Sequence, residues 1–419
     1  MGFATSYLKT RTITECLVSS EPQPDTGVII IVPSFDEPSI TELLNSLAEC
    51  DRPKCSVEVL IGVNAPPTAD KGQISNNIAT LKEIESWKGA TKEYPFRLFA
   101  FDIGGKNLTD WGAGLARKVL MDEAVRRFNS IENPNGVVVS LDADCLVSRN
   151  YLSEIFNSFS SDNSLNGASI HFEHILPSGT DNQALRDAIT DYELHLRYYY
   201  QALIFSGYPN VFHTIGSALA VRSSAYVKVG GMNRRQAGED FYFIQKMIPL
   251  GGYGKLNRPI VYPSGRTSNR VPFGTGPAII SILESPSAKW LTYHPDCFKD
   301  LKLFIELIPS LLTISQDDLR VALKKLPQGI SQFLTENNLE NHLNEIRGNT
   351  SGLDSFIKRF LAWFNMFKVV KYLNYQHISG SYAKIEVSVA ARDMLSEITS
   401  DTIIGDRSSL LKAYRKLEE

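Results

Sequence analysis

A chain of 419 residues with 43% hydrophobic and 21% charged residues has the profile of an ordinary globular protein. It is long enough to bury a sizeable core without disulfides or structural metals, and at ~150 residues per domain it holds two or three domains. A net charge of -3 excludes the strongly basic surface that suits nucleic acid, and five cysteines (Cys16, Cys50, Cys55, Cys145, Cys297) with no Cys-x-x-Cys pair exclude a disulfide framework or zinc ribbon.

Residues 1–26 read as a polar leader ending in the turn-rich EPQPDTG, with no apolar core of a secretory signal. MGFATS matches the loose myristoylation pattern. No apolar run reaches the ~18 residues that span a bilayer. With reduced thiols, these features predict a cytoplasmic protein. From residue 27 to about 276 short β-rich runs alternate with helical ones, the mark of an α/β domain. VIIIVP (28–33) is a continuous apolar strand of the kind covered on both faces. A helix over 39–50 follows, then a strand VEVLIGVN (57–64), a helix over 74–87 and a strand FRLFAFDI (96–103). A helix over 112–128 turns Leu115, Val119 and Ala124 to the core, and GVVVSLDADC (136–145) is a buried strand ending in carboxylates. From about 277 onward the chain reads as helices without strand signals. The predicted organisation is a leader, an α/β domain over 27–276 and a helical extension over 277–419.

Ligands in such sheets bind outside the carboxyl ends of the strands. There the sequence places Pro33, Phe35, Asp36 and Glu37 after the first strand, Asn64 after the second, and Asp142 and Asp144 after the fourth. Helix capping alone would explain Asp36 and Glu37. Asp142 and Asp144, two apart on a strand, would share a face and repel unless a cation or donors lie between them. A Mg²⁺ held by one or two carboxylates and substrate phosphates meets that need; a solvated turn closing the strand is the alternative. In GSALAVRSSAYVKVGGMNRRQAGEDFYFIQKMIPLGG (216–252), Glu239 and Asp240 open a helix whose body is apolar at helical spacing, so the dipole favours ionised carboxylates there.

These stretches, in this order, resemble the family 2 glycosyltransferases and the wider inverting GT-A superfamily. The matching residues are VIIIVPSFDEP, GAGLARK, SLDADC, GSALAVRSSAYVKVGGM and GEDFYF, over about residues 27–275. The resemblance implies a GT-A fold: a mixed, Rossmann-like nucleotide-binding sheet with helices on both faces and a helical C-terminal extension. It implies that the turn from Pro33 to Glu37 holds ribose and base, that Arg117 lies near the base or phosphates, and that Asp142 faces the ribose. It further implies that Asp144 binds Mg²⁺ or Mn²⁺ at the diphosphate, and that Asp240 is the catalytic base with Glu239 beside it touching the acceptor. The donor is then a nucleotide-sugar, with UDP favoured. Asn64 stands where many members carry Asp to read uracil, and Lys118 where they often carry Asn.

PIVYPSGRTSNRVPFGTG (259–276) carries Arg266 and Arg270 among small residues, a loop suited to close over a diphosphate. His213 and His294 are further candidate metal ligands. Between the two acidic motifs lie SIHFEHIL (169–176), with His171, and a long aromatic helix over 184–209. Trp111, His171 and Tyr199 are acceptor-side candidates toward a saccharide or lipid-linked acceptor, with helix packing the plainer role for the aromatics. FIKRFLAWFNMFKVVKYLNY (356–375) reads as a helix whose cations do not share one face, so packing on the catalytic domain is favoured over an interfacial membrane helix; peripheral contact with the inner face of a membrane is left open. Two rival readings are a catalytically inactive nucleotide-sugar-binding protein and a haloacid-dehalogenase-type phosphatase using Asp142. LDADCLV loosely matches the phosphatase signature, but three strands precede it and Leu146 holds the Thr/Val position.

Overall fold

The computed structural model describes residues 2–91, 93–104, 112–177, 182–235, 238–268, 270, 274–285, 289–399 and 405–419. Helix α1 (Thr5–Thr10) precedes β1 (Thr26–Ser34), α2 (Thr41–Ala48), β2 (Ser56–Val63), α3 (Lys71–Ala90), β3 (Arg97–Asp102), α4 (Ala113–Ser130) and β4 (Val137–Ser140). The apolar run over residues 28–32 is wholly buried, as a strand covered on both faces requires. β1 pairs in parallel with β2 on one side and β4 on the other, and β2 with β3. The order β3-β2-β1-β4 reverses its direction of travel at β1. The crevice between the carboxyl ends of β1 and β4 is therefore the switch point where open α/β sheets take ligands.

Next come β5 (Leu146–Val147), α5 (Tyr151–Ser161), β6 (Gly167–Phe172), α6 (Gln183–Phe205), β7 (Leu219–Arg222), α7 (Ser223–Lys228), α8 (Glu239–Met247) and β8 (Tyr253–Tyr262). β7 runs antiparallel between β4 and β6, and β8 pairs in parallel with β6 and antiparallel with β5. The result is a mixed eight-stranded sheet ordered β3-β2-β1-β4-β7-β6-β8-β5, with α2 to α5 packed against it: an α/β architecture of GT-A-like form. The sequence reading did not anticipate β8. Its residues Tyr253–Tyr262 alternate poorly, with exposed Lys255, Asn257 and Arg258 in the middle.

The chain divides into two compact units, Met1–Thr180 with Phe212–Ser281, and Asp181–Val211 with Ile282–Glu419. The first holds the whole eight-stranded sheet. Its helix α4 is buried on almost every side, charged residues included. The leader explains this. Tyr7 Oη donates to Asp122 (2.7 Å), and the N–H groups of Leu17 and Val18 donate to Glu123 (3.1 and 3.2 Å). Arg127 donates to the Ser20 carbonyl (2.8 Å). A buried carboxylate needs such partners, and here the first twenty residues supply them.

The second unit contains α6 and the helices from the end of α9 (Thr275–Glu284) onward: α10 (Pro295–Leu307), α11 (Gln316–Lys325), α12 (Gln328–Glu336), α13 (Leu339–Gly348), α14 (Leu353–Trp363), α15 (Met366–Ile378), α16 (Val387–Thr399) and α17 (Arg407–Lys416). The expected absence of strands there is corrected by one small antiparallel pair, β9 (Leu291–Thr292) with β10 (Ile385–Glu386), too short to leave a periodic signal. The helix expected over 356–375 is two helices, because Asn365 accepts from the Lys368 N–H and starts α15 anew. α17 is fastened to α6 by buried ion pairs: Glu193 joins Arg197 and Arg415, each at 2.8 Å, and Arg197 also holds Glu418. Among the described residues no helix is long and apolar enough to cross a membrane.

Candidate active site

At the end of β1 the chain turns at Asp36, which takes a left-handed φ of 50°, uncommon for a side-chain-bearing residue. Helix α3 holds it there. The Asp36 N–H donates to Asn77 Oδ1 (2.9 Å), and its carboxylate accepts from Asn76 Nδ2 (3.0 Å). Asn77 Nδ2 donates to the carbonyl of Asn64 (2.9 Å), and Thr80 Oγ1 to that of Glu37 (3.3 Å). One face of α3 thus ties the ends of β1 and β2 together, and Asn64 is buried between them. The sequence reading missed these α3 residues. The available signal was Asn76-Asn77, two poor helix formers in the middle of a helix.

β4 stops at Ser140, so Asp142 and Asp144 lie in the turn beyond it, not on one face of a strand as expected. Each carboxylate has its own guanidinium partner. Asp142 accepts from Arg117 of α4. Asp144 accepts from Arg266 and Arg270, at 3.2 and 3.4 Å.

Arg117 is 6% exposed and reaches two motifs at once: one terminal nitrogen donates to Asp142 and the other to Glu239. Burial alone would ease its proton off, but Asp142, Glu239 and Asp240 outweigh that and hold it charged. Two glycines make the approach geometrically possible. A Cβ on Gly216 would lie 2.6 Å from the Arg117 guanidinium carbon, and one on Gly114 would strike the Arg235 carbonyl and the Glu239 side chain. Glu239 and Asp240 open α8 as the sequence predicts, after Gly238 in the left-handed region. Asp240 accepts from the Phe241 N–H (2.7 Å). Burial, with the charge of Glu239 next, pushes the Asp240 carboxyl up to about 6, against the opposing pull of Arg117. Tyr253 of β8, another residue not foreseen, is bonded to Ser169 Oγ (3.1 Å) and sits within the field of Asp240.

The loop after β8 brings Arg266 and Arg270 to the β1 turn, where both pair with Glu37 (2.6 and 2.9 Å). Burial, then the charge of Asp144, raises the Glu37 carboxyl above its ordinary range, and the two arginines oppose the rise. Burial, then Asp142, raises Asp144 in the same way. In all, three guanidinium groups (Arg117, Arg266, Arg270) meet five carboxylates (Glu37, Asp142, Asp144, Glu239, Asp240). When all are ionised the cluster carries excess negative charge, which weakens the hold of its arginines on a diphosphate. A divalent cation fits that imbalance. The donors at Asp142 and Asp144 are partly exposed carboxylate oxygens, the hard ligands Mg²⁺ and Mn²⁺ prefer. Among the described residues no three His, Cys, Asp or Glu side chains gather in a metal-holding group.

Of the acceptor-side candidates, His171 on β6 is buried and bonded through Nε2 to Glu173 (3.1 Å). Tyr199 belongs to the second unit, where its ring packs near Tyr293 and Phe298, centroids 6.2 Å away in both cases. Trp111 lies outside the described residues. His213 packs edge-on against Phe172, and His294 accepts from the Asp296 N–H at the start of α10. A broad surface depression of about 650 Å³, lined by Arg52, Lys88, Tyr94, Phe96 and Arg97, lies along the β3 edge and contains none of the site residues.

No protein-family model matches the chain, and no curated protein matches it. Among solved structures, the chain is similar to S. aureus TarS 1-349 in complex with UDP-GlcNAc, at 14% identity over 84% of this chain and 92% of that one, TM-score 0.41. It is also similar to the mannosyltransferase PcManGT from Pyrobaculum calidifontis in complex with GDP-Man and Mn²⁺, at 15% identity over 99% of this chain and 92% of that one, TM-score 0.35. At these identities no residue role passes from those proteins to this chain.

Proposed function

We propose that the protein is an inverting glycosyltransferase that moves a sugar from a nucleoside-diphosphate donor to an acceptor hydroxyl. The observation that carries this reading is the Arg117 bridge, which draws the Asp142 turn and the Glu239-Asp240 helix start together at the switch point of the sheet. In this reading the turn over residues 33–37 with Asn64 would receive the nucleoside, and Arg266 and Arg270 the diphosphate. Asp144, with Asp142 beside it, would hold Mg²⁺ or Mn²⁺, which supplies charge neutralisation on the departing diphosphate. Asp240, ionised above pH of about 6, takes the proton of the acceptor hydroxyl as its oxygen attacks the anomeric carbon. One displacement with one base inverts that carbon, and Glu239, the residue before the base, is held by Arg117.

A thermal-shift screen of UDP, GDP and their sugars, with and without Mn²⁺, tests the reading, since the correct ligand stabilises the folded chain by mass action. The expected outcome is a Mn²⁺-dependent rise with one nucleotide, UDP favoured, abolished by chelator. Absence of any rise would count against the reading. The inactive-sensor alternative predicts binding without turnover. The phosphatase alternative predicts hydrolysis of a simple phosphate ester that Asp142→Asn removes.

A further inference from the structure

Glu37 was expected to touch the nucleotide, yet its carboxylate is 3% exposed and faces protein. One oxygen, Oε2, serves two guanidinium groups, accepting from Arg266 Nη2 at 2.6 Å and Arg270 Nη1 at 2.9 Å. Arg270 is secured further by the Phe35 carbonyl (2.7 Å) and Ser268 Oγ (2.9 Å). Asp144 accepts at longer range, from Arg266 Nε at 3.2 Å and Arg270 Nη2 at 3.4 Å, with Arg266 Nη2 also 3.2 Å from it. Its side chain is 25% exposed. Charge-assisted bonds of full strength fall near 2.7–2.9 Å. The two carboxylates are therefore unequal: Glu37 is closer to the arginines and almost fully covered, while Asp144 is held at longer range and keeps a quarter of its side-chain surface exposed.

We propose that Glu37 is a positioning residue that anchors Arg266 and Arg270 as a preformed diphosphate clamp, and that Asp144 occupies this clamp until a diphosphate displaces it. The ligand class rests on the nucleotide-sugar reading above. Each guanidinium has five N–H donors in a fixed fork, so it can keep Glu37 on one nitrogen and offer the neighbouring nitrogen, now facing Asp144, to phosphate oxygens. No covalent bond changes in the exchange. The phosphate oxygens accept the donors that Asp144 gives up, and the released Asp144 carboxylate becomes free for a divalent cation. Diphosphate and cation binding are thereby linked, each favouring the other.

The test is titration of the full chain with inorganic pyrophosphate in chelator-containing buffer, read by calorimetry. Asp144→Asn removes the competing occupant and tightens binding about tenfold. Asp142→Asn removes the same charge from a residue that pairs with Arg117, not with the clamp, and changes binding far less. Glu37→Gln also removes a negative charge, so a general field effect predicts tighter binding; loss of the anchor predicts binding about tenfold weaker. Glu37→Asp keeps the charge, draws the carboxylate back by one methylene, and weakens binding in the same direction, which keeps the test decisive if the Gln variant does not fold. Arg266→Gln/Arg270→Gln abolishes binding. Equal gains from Asp144→Asn and Asp142→Asn, a gain from Glu37→Gln, or no pyrophosphate binding by the unaltered chain overturns the proposal. A chain that shows the expected pattern but binds no nucleotide-sugar keeps the clamp and loses the proposed function.

Discussion

Asp240 and Arg117 are the two side chains on which chemistry and stability meet. The folded protein holds the Asp240 carboxyl at about 6, above the ~3.9 of an unfolded chain, so the folded state binds that proton more tightly. Its ionisation therefore costs stability, which is lost as pH rises from about 4 through 6. The base is competent only when ionised, so transfer should fall off as pH drops through about 6. Asp240→Asn should lower the transfer rate by ~10²-fold or more while raising the neutral-pH melting temperature, by on the order of 1–3 kcal/mol of stability. A variant that keeps full activity would remove Asp240 from the mechanism. Arg117→Met leaves Glu239, 2% exposed, without its cation, and should cost about 3–5 kcal/mol in denaturant unfolding. In any folded fraction the midpoint of the pH–rate profile should move upward, because Arg117 now lowers the Asp240 pKa. An unchanged midpoint would show that the two groups do not communicate.

The elements earn their place through polar faces as much as apolar ones. α3 contributes Asn76, Asn77 and Thr80 to the ends of β1 and β2, and so maintains the left-handed Asp36. Strain of that kind persists only where surrounding bonds over-determine it. Asn77→Ala should cost about 1–3 kcal/mol, since it strands the Asp36 N–H and the Asn64 carbonyl. It should weaken nucleotide binding in the thermal-shift screen more than it lowers the turnover of bound donor; the reverse would place α3 on the catalytic side. The strands and helices from β1 to β4 were legible because their apolar runs are long and regular, as in residues 28–32, whereas β5 and α5 went unread. β8 was not, because exposed polar residues break its pattern and its pairing with β6 is decided by contacts distant in sequence.

For the first unit as a whole, the leader is part of the fold. Ala4, Tyr7 and Val18 are buried with the core of that unit, and Tyr7, Tyr226 and Lys118 surround Asp122 at 2.7–2.9 Å. Deleting residues 1–20 should leave Asp122 and Glu123 short of partners and cost about 3 kcal/mol or more, seen as a fall in melting temperature. A truncated chain as stable as the full one would return the leader to the role its polar composition suggests. The sequence by itself determined the α/β class, the chain order of the first strands and helices and the position of the acidic residues at their ends, since hydrophobic periodicity and strand termini are local properties. Only the tertiary structure decided which charge meets which. Arg117 joins Asp142 to Glu239, and Arg266 and Arg270 meet Glu37 and Asp144, across more than a hundred residues of chain in all but the first of these pairings. The partner of a buried ion is set by where the backbone carries it, and no local pattern encodes that.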